Sequence, residues 1–197
     1  MQATQQIPPP VQKASTPAPV QAKRPNPLGY IACGNEMHTL AKRLEWQGYR
    51  GAICGPTGCG KSIMLQTLGD ELMEHGLTPL PLIMHPDQRG TFPKDWKRII
   101  RQARPTDALL LDGYGDLPRT ARLWVWLATL NAGAIVVTAS RETVFTTLAK
   151  PKPTPGLLEQ LIEQTLPTQR QSIDTQAIFE QAQGNLSKAL DLVREQA

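Results

Sequence analysis

Cysteine is scarce in this chain, long apolar runs are missing, and neither sign of charge dominates. Cys33, Cys54 and Cys59 are odd in number and not spaced as a metal clip, so neither a disulfide framework nor a zinc site is indicated. No apolar run approaches the roughly eighteen residues of a membrane span, which argues against a membrane protein. Met1 to Gln6 carry neither the basic start nor the apolar centre of a signal peptide, and the cytoplasm is the expected compartment. Charged residues make up 19% with a net charge of +4, a balance that permits a nucleic-acid or other polyanionic partner without demanding one. What is present is 197 residues, 40% of them apolar, enough for one domain or for a core with a small satellite.

The most informative stretch is Gly55-Pro56-Thr57-Gly58-Cys59-Gly60-Lys61-Ser62. It matches, without gap or substitution, the phosphate-binding loop pattern of a Gly, four variable residues and Gly-Lys-Ser/Thr. Glycines let consecutive backbone N–H groups turn inward around phosphate oxygens where a Cβ would clash. The helix that follows offers its unpaired N–H groups and positive dipole end to an anion. Lys61 adds a mobile charge for the β- and γ-phosphates, and Ser62 a hydroxyl for Mg²⁺, which prefers oxygen. The flanks agree with this reading: Gly51 to Cys54 reads as a buried strand, and Ile63 to His75 carries Leu65, Leu68 and Leu72 at helical spacing and ends at Gly76. Cys59 reads as a small tolerated residue in the loop rather than a redox switch.

In chain order, residues 1–27 are rich in proline and glutamine and predict a disordered or extended tail. Asn35 is placed to cap a helix from Glu36 to Trp46, with Met37, Leu40 and Leu44 on one stripe and Gly48 beyond its end. Leu80 to Met84 reads as a strand that Pro81 confines to an edge. Lys94 to Arg104 reads as a helix with Lys94, Lys97, Arg98, Arg101 and Arg104 at helical spacing, a solvated face with nucleic acid as the weaker alternative. Ala108 to Asp112 is an unbroken apolar run ending in a carboxylate, which predicts a buried parallel strand delivering Asp112 to a ligand edge, where it can hold Mg²⁺. Asp116 is expected to cap a helix reaching about Asn131, with Trp124, Leu127 and Leu130 towards the sheet and Gly133 closing it. Ala134 to Ser140 reads as another buried strand; Thr138 or Ser140 either meets the γ-phosphate and attacking water or caps the turn. Phe145 to Leu148 is a short last strand. After the proline-rich break at 151–155, helices are predicted for Gly156 to Leu166 behind Thr154, Thr175 to Gln183 behind Asp174, and Leu186 to Glu195 behind a Gly184-Asn185 turn.

These segments describe an α/β protein, and their order resembles the additional-strand P-loop ATPases, specifically an AAA+-like module of the archaeal-ATPase and signal-transduction ATPase kind, over about residues 27–197. The resemblance implies a three-layer αβα P-loop NTPase core with a parallel sheet over residues 28–150 and a small all-helical lid over 151–197. It implies ATP and Mg²⁺ as ligands, a protein client, and assembly of several copies in which Arg119, Arg122 or Arg141 serves a neighbour. Asn26-Pro27-Leu28 is similar to the lead-in of that family. Thr138 matches the position of the first sensor, and Gly184 to Leu190 is similar to the second-sensor segment. Two positions depart from the pattern: Gly113 stands where a water-positioning Glu is usual, and Ser187 where an Arg is usual. Losing a positioned base costs about 10²- to 10⁴-fold in rate, so the expectation is a slow ATPase acting as a nucleotide-driven regulator or loader, with Asp116 as a substitute base. Two alternatives stay open: a catalytically silent ATP-binding adaptor, and a small-molecule P-loop kinase using Arg119, Arg122 and Arg141 as a clamp. A GTPase is disfavoured because no Asn-Lys-x-Asp motif occurs.

Overall fold

The computed structural model describes residues 36–88, 90–165 and 174–195. The proline-rich stretch, the lead-in near Asn26, Cys33 and the Asn35 cap lie outside them. The first described helix, α1 (Glu36–Trp46), buries Met37, Ala41 and Leu44 and half-buries Leu40, the stripe expected from the spacing. Gly48 and Tyr49 then take φ of 67° and 59°, and the Tyr49 N–H donates to the Leu44 carbonyl at 2.8 Å. This left-handed turn reverses the chain into β1 (Arg50–Cys54).

The remaining elements are α2 (Lys61–Glu74), β2 (Thr78–Ile83), α3 (Lys94–Gln102), β3 (Asp107–Asp112), α4 (Arg119–Ala128), β4 (Ala134–Ala139), β5 (Thr147–Ala149), α5 (Pro155–Thr165), α6 (Thr175–Gln181) and α7 (Leu186–Glu195). The five strands form one sheet in the order β2-β3-β4-β1-β5, and each neighbouring pair is parallel. An additional strand, β4, therefore separates the strand that enters the glycine loop from the strand that ends in Asp112.

Proline chemistry explains the position of β2. Thr78 and Met84, at even positions, donate to the carbonyls of Thr106 and Asp112 at 2.8 and 3.0 Å, so even residues face β3. Pro79 and Pro81 fall at odd positions, where the missing N–H faces away from the sheet. The strand must be an edge, as expected from Pro81.

Alternation sorts β3 between two apolar clusters. Ala108 and Leu110 join α1, α2 and the C-terminal helices on one face; Leu109 and Leu111 join α3 and α4 on the other. The sheet is thus covered on both faces by helices, and each of its fully buried leucines and isoleucines contributes about 1.5–3 kcal/mol. No helix among the described residues is long and apolar enough to cross a membrane.

Two expectations for the segment after β3 are corrected. Asp116 does not cap α4; it ends a short 3-10 turn, Tyr114–Asp116, and Pro118 occupies the N-cap of α4. The face of α4 turned to the sheet carries Ala121 and Val125, with Leu117 just before it, while Trp124 is half-buried and Leu127 and Leu130 are exposed. The buried stripe runs at i, i+4 from Leu117 through Ala121 and Val125 rather than at i, i+3 from Trp124. Helices α6 and α7 start where the sequence predicts and α5 starts at Pro155, one residue before the expected Gly156; Leu166 lies outside the described residues. The Thr154 hydroxyl accepts from Leu157 N–H at 3.2 Å and the Asp174 carboxylate from Ala177 N–H at 3.1 Å.

Gly133 closes the α4 segment against backbone. Its N–H donates to the Arg104 carbonyl at 3.2 Å, and a Cβ would collide with the Pro105 carbonyl oxygen. Gly133→Ala is expected to destabilise the fold by about 1–3 kcal/mol through this overpacking, read as a lower denaturation midpoint at unchanged m-value. An unchanged midpoint would contradict the close approach.

Candidate functional site

The Gly55–Ser62 loop leaves β1 at the carboxyl edge of the sheet. Gly55 N–H donates to the Ala139 carbonyl of β4 at 3.0 Å, anchoring the start of the loop. Cys59 is buried beneath it, its Sγ 2.8 Å from where a Gly55 Cβ would lie, so a side chain at position 55 would force Cys59 to move. Gly58 and Gly60 take φ of 80° and 93°, a conformation that L side chains resist. Gly60 is the N-cap of α2 and provides no side-chain hydrogen bond to the first turn. The opening N–H groups of α2 have no intrahelical partners and add to a positive helix end, a combination that attracts anions. Lys61 Nζ donates to the carbonyls of Gly55 and Pro56 at 2.9 and 2.7 Å, which holds the ammonium over the loop.

Strand register brings the other polar groups alongside. Leu111 pairs with Val137, so Asp112 and Thr138 emerge side by side one residue later. The Thr138 hydroxyl, on a buried residue, donates to Asp112 Oδ1 at 2.6 Å and accepts from Gly113 N–H at 2.8 Å. Its one proton is committed, and it orients the carboxylate. Gly113 has φ of 85°, and a Cβ there would sit 2.5 Å from Met84 Cβ. A glutamate at this position is therefore opposed by backbone and by packing. The left-handed residue instead turns the chain into the 3-10 segment, where Asp116 N–H donates to the Gly113 carbonyl at 3.0 Å. Tyr114 pins this turn: its ring meets Phe145 edge-on at 5.6 Å and its hydroxyl donates to the Arg122 carbonyl at 3.2 Å. Burial pushes the Tyr114 phenol up to about 12, so it stays protonated and acts as an anchor.

These groups enclose a cleft of about 430 Å³. Thr57, Gly58, Gly60, Lys61, Ser62, Asp112, Gly113, Asp116, Thr138 and Ser140 line it together with Leu161, Leu186, Ser187 and Leu190 from α5 and α7. Gly55 and Pro56 serve it through the carbonyls that hold Lys61. Of the lining side chains Lys61 alone is cationic, and Asp112 and Asp116 are acidic; Arg119, Arg122 and Arg141 are not among them.

One contact was not foreseen from the sequence. Asn185 caps α7, its Oδ1 accepting from the N–H groups of Ser187 and Lys188 at 3.1 Å each, while its Nδ2 donates to the Thr57 carbonyl at 3.3 Å. Leu186 N–H donates to the Gly58 carbonyl at 2.9 Å. A Cβ on Gly58 would collide with the Asn185 side chain, so this glycine serves the docking of α7 as well as the turn. The sequence signal was a Gly-Asn pair before a helix, which predicts a cap but not a second partner.

The basic stripe lies apart from the cleft. Lys94, Lys97, Arg98 and Arg101 border a shallow depression on α3, Arg101 stands 5.7 Å over the Trp124 ring, and Arg104 falls beyond the helix. No protein-family model matches the chain, and no curated protein matches it.

The Thr138 hydroxyl serves two buried polar partners at once. Thr138→Val is expected to cost about 1–3 kcal/mol by leaving Gly113 N–H and Asp112 unpaired, whereas Thr138→Ser keeps most of the stability. Equal denaturation midpoints for the valine and serine variants would contradict this bridging role.

Proposed function

We propose that this chain binds ATP with Mg²⁺ and is a slow ATP hydrolase, an AAA+-like P-loop module whose helical lid reports nucleotide state to a partner. The observation that carries the reading is convergence: Lys61, Ser62, Asp112 and Asp116, from segments far apart in sequence, line one cleft that α7 borders. The insertion of β4 between β1 and β3 supports the additional-strand assignment.

The residues present fit the ligands. Gly58 and Gly60 make the curled backbone, α2 contributes its open N-terminus, and Lys61 reaches phosphate oxygens by exchanging its carbonyl partners for them. Ser62 and Asp112 supply the hard oxygen donors that suit Mg²⁺. The charge balance points the same way: one lysine against two carboxylates does not neutralise a polyanion, so a divalent cation is required. When bound, Mg²⁺ supplies charge neutralisation at the phosphates. Thr138 keeps Asp112 in one orientation, and Asp116 sits in the cleft as the proton acceptor for water in place of the absent glutamate. Replacement of Arg by Ser187 at the lid leaves the cleft short of positive charge, which favours slow turnover.

Gly113 favours the second reading, an ATP-binding adaptor without turnover, because its conformation and Met84 bar a glutamate. The kinase reading loses support, since none of its three arginines lines the cleft. Nucleotide, a protein client and further copies of the chain are the proposed partners, and exposed Arg119 and Arg141 are the arginines available to a neighbouring copy.

Fluorescent ATP titrated at millimolar Mg²⁺ tests the shared premise. Lys61→Ala is expected to weaken binding by roughly 10- to 100-fold, the loss of one charge-assisted contact. Phosphate release by the wild type then selects the hydrolase over the adaptor, and wild-type binding by Lys61→Ala would overturn both.

A further inference from the structure

A second cluster of ligating side chains lies on the outer surface where α1 crosses α2, apart from the residues that line the nucleotide cleft. His38 of α1 and Glu71 and His75 at the C-terminal end of α2 bring three donor atoms to within 4.8 Å of one another. His38 Nδ1 lies 2.9 Å and His75 Nε2 3.7 Å from the same oxygen, Glu71 Oε1. The two imidazoles stand face to face, centroids 5.9 Å apart. We propose that His38, Glu71 and His75 form a binding site for a late first-row divalent cation of the zinc class, bridging α1 to the helix that carries Lys61.

The donor set is suited to such an ion. Two neutral imidazoles and one carboxylate are borderline ligands, preferred by Zn²⁺ and its neighbours over Mg²⁺ or Ca²⁺. Tetrahedral Zn²⁺ with bonds of about 2.0–2.2 Å places its ligands roughly 3.4 Å apart. The 2.9 and 3.7 Å separations bracket that spacing and all three donor atoms lie within 4.8 Å of one another, so the triangle closes when the two imidazoles draw in on the ion. Glu71 and His75 are one helical turn apart and therefore share a face, and His38 approaches from the facing helix. The backbone also favours a cation here, because His75 is the C-cap of α2, where the helix dipole is negative.

In the absence of metal, an ionised Glu71 accepts only, so His38 Nδ1 carries the proton of the 2.9 Å contact. Metal binding at Nδ1 moves that proton to Nε2 of the same neutral ring and replaces one hydrogen bond by coordination from both helices. Three protein ligands leave a further position to water. Cysteine spacing could not reveal this site, because it contains no cysteine and joins residues 33 positions apart.

The test uses the untagged full-length chain with millimolar Mg²⁺ throughout, so that the oxygen donors around Asp112 do not take up the probe. Zn²⁺ is titrated by calorimetry, and Co²⁺ reports its coordination by visible absorption. Wild type is expected to bind one Zn²⁺, to rise in Tm on binding, and to give Co²⁺ bands that Zn²⁺ displaces. His38→Gln and His75→Gln each weaken binding by about tenfold or more, and the double variant loses the Co²⁺ bands. All three side chains sit on helix surfaces, and circular dichroism of the metal-free variants confirms that they fold. Equal Zn²⁺ affinity in wild type and double variant, or wild-type binding weaker than millimolar, would overturn the proposal.

Discussion

The contact between Asn185 and the glycine loop is the constraint on which the rest of the arrangement depends. Two loop carbonyls, of Thr57 and Gly58, accept hydrogen bonds from the start of α7, in space that exists because Gly58 has no side chain. The carbonyls of the loop are turned to protein partners, those of Gly55 and Pro56 to Lys61 and those of Thr57 and Gly58 to α7. The same Asn185 closes the end of its own helix. The local shape of the loop and the seating of α7 are therefore one structural event, and α5 to α7 share an apolar cluster with α1 and α2 rather than forming a separate core.

At the opposite wall of the cleft, Thr138 plays the corresponding part. Parallel register sets it beside Asp112, and its hydroxyl ties the ends of β3 and β4 to the turn at Gly113. That turn explains the missing glutamate in structural terms. A left-handed residue packed against Met84 redirects the chain, and the next acidic side chain to reach the cleft is Asp116, three residues later. The departure from the pattern that the sequence resembles is thus a different backbone path that carries a carboxylate to the same cleft.

Much of this was legible in the sequence because the signals are local and covalent. Proline at 81 has no N–H whatever its surroundings, so the edge position of β2 followed directly; Thr154 and Asp174 cap because their oxygens reach N–H groups three residues on. The glycine loop and the apolar run ending in Asp112 are also local patterns, and parallel pairing brought them together. What escaped depends on tertiary geometry. Asp116 has the chemistry of a cap, but it ends the 3-10 turn that follows the left-handed Gly113, and α4 begins after it. The bond from Asn185 to Thr57 spans 128 positions, and the His38–Glu71 pair 33, distances at which no spacing rule operates.

If loop and lid form one ligand-responsive unit, nucleotide must alter both. Hydrogen exchange across the full-length chain, with and without ATP at millimolar Mg²⁺, measures this directly. The account requires slower exchange in the presence of ATP at the amides of the Gly55–Ser62 loop and at the first turn of α7, with Lys61→Ala needing roughly 10- to 100-fold more ATP for the same effect. Exchange at both segments that is indifferent to saturating ATP would contradict it.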